Sequence, residues 1–255
     1  MSDLFSENQP RRDGIQVVSR VADVLRALEH RPDGLSLSEL AVAVEMPKST
    51  VHRLVSALEA EEFVTPPGTG KIHLGRGIAR LGAATRDRLR DQIRPFLARL
   101  RQELEETVDL SVLDGPAARF IDHIAAPHRL RAVSAVGATF PLYCTANGKA
   151  LLAAMPEERA SALLPARLVA LTAHTKTARK DLWAELDRVR ADRVAYDREE
   201  HTVGICAVGA VVLDPYGPAA AISVPMPTQR FEGNEEKLAH ALLRTCDECS
   251  EYLGA

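Results

Sequence analysis

The sequence predicts an α+β protein: a winged helix–turn–helix unit, a connecting helix, and a larger unit on an antiparallel sheet. Three observations carry this. Between Ser36 and Leu58, apolar residues recur at helical spacing on both sides of a proline. A Pro/Gly-rich turn, residues 65–70, separates two short apolar runs. From Val108 the pattern switches to alternation with period two, and later apolar strand runs follow. The expected organisation is a disordered tail (1–14), a winged helix–turn–helix domain (15–76), a linker helix (77–93) and a sheet domain (94–255).

The chain has 255 residues and is 46% hydrophobic, enough for a core without metals or disulfides. Four scattered cysteines do not make a secreted disulfide scaffold. The polar start MSDLFSENQPRRDG lacks a signal-peptide h-region, and no apolar run approaches the ~20 residues that span a bilayer. A soluble cytoplasmic protein with no cofactor and no membrane contact is expected. The net charge of -3 is uneven. Residues 1–77 hold nine Lys/Arg against eleven Asp/Glu, and residues 78–101 hold seven Arg against two Asp. The first unit is therefore not basic overall, and DNA affinity would rest on a few phosphate contacts per subunit.

Residues 1–14 show no periodicity, and Arg11 and Arg12 belong to this tail. Val17, Val21, Val24, Leu25 and Leu28 mark a first helix ending near Pro32-Asp33-Gly34. Ser36 and Glu39 stand at capping-box spacing before a second helix carrying Leu37, Leu40, Ala41 and Val44. Pro47 ends that helix and opens a third. There Val51, Leu54, Val55 and Leu58 fall at i, i+3, i+4 and i+7, a stripe for the core. The remaining face presents Lys48, Ser49, Thr50, His52, Arg53 and Ser56, and no acid occurs between Met46 and Leu58. Such a face suits the DNA major groove, where arginine and small hydroxyls meet base edges and phosphates. An ordinary helical hairpin that meets a protein partner shows the same pattern.

Phe63-Val64 and Lys71-Ile72-His73-Leu74 flank the turn as a hairpin wing, with Thr69 and Lys71 near its tip for phosphates. Gly68-Thr69-Gly70-Lys71 lacks the full spacing of a nucleotide-binding loop. Arg76 to Ile93 reads as a helix, with Pro95 breaking it or starting another that carries Phe96, Leu97, Leu100 and Leu104. Arg80, Arg86, Arg88 and Arg90 line it as a solvated face or a backbone contact. Val108–Val112, the turn Asp114-Gly115 and Ala118–Ile124 read as a hairpin, and Leu130 to Val136 as a third strand.

The segment PKSTVHRLVSALEAEEFV resembles the recognition helix of the IclR-type transcription regulators. Two later segments, in matching order, resemble the same family: Pro141–Ala153 with Gly148-Lys149-Ala150, and Val194–Asp214 with an acidic Asp197-Arg198-Glu199-Glu200 run. A strand ending Ala221-Ile222-Ser223 follows, so the likeness spans roughly residues 15–253. The resemblance implies a GAF-like effector-binding domain, a linker that helps dimerisation, and a homodimer or tetramer on double-stranded operator DNA. It further implies a small-molecule effector held near Ala146, Asn147, Asp197, Ala207 and Ser223. Three departures stand out: Glu45 where the family has a turn glycine, Ala207 where many relatives have cysteine or serine, and Pro225 in place of a hydroxyl.

Ala146 and Gly148 are small enough to let a ligand approach a helix start, whose free N–H groups favour an anion. A plain N-cap at Thr145 accounts for the same residues. A small organic or aromatic acid suits the first reading, and Asp197 equally suits a hydroxyl or amine donor. Glu232 to Leu253 reads as a last amphipathic helix; Cys246-x-x-Cys249 has metal or redox spacing, but with no second pair beside it the two read as buried helix cysteines and no metal is expected. The competing class is an enzyme: His123 or His201 with Asp197 offers acid/base chemistry, but no nucleophile motif accompanies them.

Overall fold

The computed structural model describes residues 16–29, 31, 33–65 and 70–255. The tail expectation for 1–14, with Arg11 and Arg12, and the wing residue Thr69 lie outside these. Two compact units occur, Met1–Thr85 and Arg86–Ala255.

In the first unit, α1 (Gln16–Glu29), α2 (Leu37–Ala43) and α3 (Lys48–Ala60) surround one apolar core. The capping box is present: Glu39 N–H donates to Ser36 Oγ (3.3 Å), and Ser36 N–H donates to Glu39 Oε2 (2.7 Å). Val51, Val55 and Leu58 are buried with Val24, Leu28, Leu40, Val64 and Ile72, while Leu54 is half-buried and Val17 is exposed. The α2–α3 turn places Glu45 at φ +51°, the left-handed conformation. That conformation costs a non-glycine residue about 1 kcal/mol. Each buried aliphatic of α3 contributes on the order of 2 kcal/mol, so packing carries the strain. Among the described residues the wing shows two single bridges, Leu35 with Ile72 and Val64 with Leu74.

The helix α4 (Arg76–Leu104) passes through Pro95 without a break, against the expectation of two helices. Pro95 and Asp91 both face solvent, so the carbonyl that proline leaves unpaired has water for a partner. Residues 93, 97 and 100 of the same helix are fully buried.

The second unit holds β1 (Val108–Asp114), β2 (Ala117–Ile124), β3 (Thr139–Pro141), β4 (Ala195–Arg198), β5 (Ile205–Asp214) and β6 (Gly217–Pro227). They form one antiparallel sheet in the order β3-β2-β1-β6-β5-β4. The helices are α5 (Ala146–Ala153), α6 (Glu157–Leu163), α7 (Arg179–Asp192), the short α8 (Thr228–Phe231) and α9 (Glu235–Leu253). One sheet face, with Leu110, Val208, Ile222 and Val224, packs on the second part of α4 and on α9, where Cys246 and Cys249 are buried. The other face receives α5, α6 and α7 over Ala195, Val211 and Ala221.

Leu130 to Val136 is not a strand: Leu130, Val133 and Val136 are exposed, and β2 takes residues 139–141 as its edge partner. Alternating apolar residues there make a loop whose inward positions, Ala132 and Ser134, are buried. A bulge shifts the β1–β2 register between Leu110 and Ser111. Ile121 and Asp122 therefore fall on one side, and Phe120 and His123 on the other.

Candidate functional site

On α3 the burial of Val51, Val55 and Leu58 turns Lys48, Ser49, His52, Arg53 and Ser56 to solvent, with Thr50 half-buried. Lys71 is also exposed. Among the described residues no ion pair engages Lys48, Arg53 or Lys71, so their charges are uncommitted. Arg80 differs: it pairs with Glu62 (2.7 Å), as does Arg76, and Arg90 bonds Asp87 and Asp91. Pro47 caps α3 without a side-chain acceptor, which leaves the first-turn N–H groups of Lys48 and Ser49 open.

The second candidate is a cavity of about 230 Å³ between the sheet and the start of α5. It collects five residues expected from sequence: Ala146, Asn147, Asp197, Ala207 and Ser223. Register explains the gathering. Asp109 on β1 pairs with Ser223 on β6, which pairs with Gly209 on β5. One step along, Asp197 on β4 pairs with Ala207, which pairs with Pro225. All these positions share one parity and so one face. The start of α5 lies against them because residue 209 is glycine: a Cβ there would come within 2.5 Å of the Ala146 carbonyl carbon.

Gly148 does not line the cavity, contrary to expectation. A Cβ there would meet Leu142 Cα and O at 2.5 Å, so this glycine serves the close approach of the preceding turn. Thr145 is the N-cap, accepting from Gly148 N–H (3.3 Å) and donating to Pro141 O (2.8 Å). Asn147 donates to Ser111 Oγ at 2.8 Å.

Asp197 Oδ1 accepts from the Glu200 N–H (2.7 Å) and the His201 N–H (3.4 Å). Burial pushes its pKa up to about 7, against the pull of the Lys149 charge. Lys149 is fully buried and donates to Glu200 Oε1 (2.5 Å) and Glu185 Oε1 (2.6 Å), with Lys176 on Glu185 Oε2 at 2.7 Å.

Sequence reasoning missed the opposite wall. Buried Asp109 accepts from Ser134 Oγ (2.5 Å) and bonds His123 Nδ1 (2.6 Å). Burial raises the Asp109 pKa, and the bond to Asp109 raises that of His123. His123 is thus the partner of Asp109 and not of Asp197. The His201 ring bonds Thr202 (2.8 Å) and stacks on Phe140 with centroids 4.2 Å apart. Phe120 meets Phe140 edge-on at 4.9 Å. Asp109 alternates with Leu110 as a solvent-facing residue would; only a helix cover over both sheet faces makes it interior.

Comparison with known proteins completes the picture. The family model for the bacterial transcriptional regulator IclR C-terminal domain matches residues 82–251, and that for the IclR helix-turn-helix domain matches residues 17–68. The HTH-type transcriptional regulator Rv1719 of Mycobacterium tuberculosis is 52% identical, covering 93% of this chain and 92% of its own. The HTH-type transcriptional regulator TtgV of Pseudomonas putida is 37% identical, covering 94% and 92%. The crystal structure of the Thermotoga maritima IclR is similar at a TM-score of 0.62 and 28% identity, covering 95% of this chain and all of that one.

Proposed function

The chain belongs to the IclR family of transcriptional regulators, a regulator and not an enzyme, and from that premise we propose how it reads DNA and answers to a ligand. Lys48, Ser49, Thr50, His52, Arg53 and Ser56 enter the major groove, with Lys71 and the wing residue Thr69 on phosphates. The observation that carries this is the polarity of α3: its aliphatic stripe is buried and Arg53 stands in solvent without an ion pair among the described residues. Few phosphate contacts per chain mean that high affinity needs a homodimer or a dimer of dimers, each pair reading two half-sites in the cytoplasm.

The cavity beside Ala146, Asn147, Asp197, Ala207 and Ser223 takes a small organic effector. Its volume of about 230 Å³, with Phe120 and Phe140 in its wall, suits a single substituted ring. A ligand that prefers one arrangement of the effector units changes operator affinity by its differential binding to the two arrangements. The test is binding of DNA fragments from beside the gene, titrated with salt and with small aromatic compounds. Salt-sensitive, saturable binding that a compound shifts supports the reading. Indifference of the purified oligomer to every fragment, with and without compounds, overturns it.

A further inference from the structure

We infer that Asp109, acting with Ser134, is a specificity-determining residue that makes the cavity select a hydroxylated aromatic ring and reject a carboxylate at that end. This rests on the cavity being the effector site. The side chains of Asp109 and Ser134 together offer acceptors only. Ser134 has a single hydroxyl proton, and Asp109 Oδ2 takes it at 2.5 Å. What remains on Ser134 Oγ is lone pairs. Wherever the proton shared by Asp109 Oδ1 and His123 Nδ1 sits, Oδ2 stays an acceptor. A ligand atom at this wall must therefore donate, because a facing acceptor leaves buried lone pairs opposed.

Charge points the same way. Asp109 and Asp197 both line the cavity, and Arg131 lies on its lining as an exposed group. Lys149, whose charge acts on Asp197, is committed to Glu185 and Glu200. A ligand carboxylate beside Asp109 would face a buried group of like charge, with Arg131 the exposed cation on the lining. The apolar share of the wall comes from Phe120, Phe140, Ile205 and Pro225, with Ala207 supplying a methyl where a thiol or hydroxyl would give a second polar anchor. A flat ring bearing one hydroxyl matches this division, with the ring among the aromatics and the O–H toward Ser134 and Asp109.

The test uses the full-length protein and three probes of one shape: 4-ethylphenol, 4-ethylanisole and 4-ethylbenzoate, measured by calorimetry or ligand-detected magnetic resonance. The phenol is expected to bind about tenfold or more tightly than the anisole, which lacks only the donor proton, and than the benzoate. Asp109→Asn brings a donor to that wall and should reduce the phenol–anisole ratio to near one. Ser134→Ala leaves the His123–Asp109 pair in place and frees Asp109 Oδ2 as an acceptor, so it should keep the ratio at or above that of the unaltered protein, and it shows whether substitution at this wall is tolerated. Equal binding of phenol and anisole to the unaltered protein, tighter binding of the benzoate, a ratio unchanged in Asp109→Asn, or a ratio lost in Ser134→Ala would overturn the inference. If none of the probes binds while promoter DNA still does, the inference falls and the DNA-reading proposal stands.

Discussion

Among the described residues of the first unit no polar or charged side chain is buried, whereas the second unit buries Asp109, Asp122, Asn147, Lys149, Asp197, Glu200 and Ser223. The first unit keeps its chemistry outside: one helix face packs, the other carries free cations. The second keeps its chemistry inside, so each interior polar group needs a partner. Where partners exist they are tight, as at Lys149, which is linked to the cavity wall through the Glu200–Asp197 bond. The lesson is that the two halves of a ligand-controlled switch are built on opposite solvation rules, and their lysines should answer to mutation differently.

The largest effect is expected at Lys149. Lys149→Met leaves buried Glu200 with Lys176 at 3.4 Å as its remaining cation and should lower unfolding free energy by about 3 kcal/mol. Lys48→Met, on the exposed face of α3, should change it by less than about 0.5 kcal/mol. Denaturant titration of both variants checks the contrast, which disappears if the two shifts are alike. Next comes Gly209. Gly209→Ala drives a methyl into the Ala146 carbonyl and should cost about 1–3 kcal/mol while abolishing ligand-induced stabilisation. Thermal melts with and without a bound compound read both, and a retained ligand shift would break the claim that this contact seats the helix start. The smallest effect is at the α2–α3 turn, where Glu45→Gly should stabilise the first unit by about 1 kcal/mol by relieving positive φ. Equilibrium unfolding decides the sign.

Legibility in the sequence followed the same division. The capping box, Pro47 and the α3 stripe are local signals, and local physics decides them. Glu45 stands where the family has a turn glycine, yet the turn keeps the left-handed geometry. At Pro95 the rule of helix termination lost to solvent exposure of the unpaired carbonyl and to burial of Leu97 and Leu100. In the second unit, alternation revealed the strands but not which faces were covered, so Asp109 and Ser134 went unread. The strand glycine at 209 was a legible sign of close backbone approach, and Gly148 showed the same sign but for the neighbouring turn. The charge of Lys149 argued for solvent, and only partners far along the chain, Glu185 and Glu200, make its burial possible.

The most direct measurement is the salt dependence of promoter binding for the unaltered protein and for Arg53→Ala. The alanine variant should keep its melting profile, lose about tenfold or more in affinity, and, if Arg53 meets a phosphate, show a salt slope shallower by about one per subunit. Affinity and slope that both remain unchanged would contradict the assignment of this helix face to DNA.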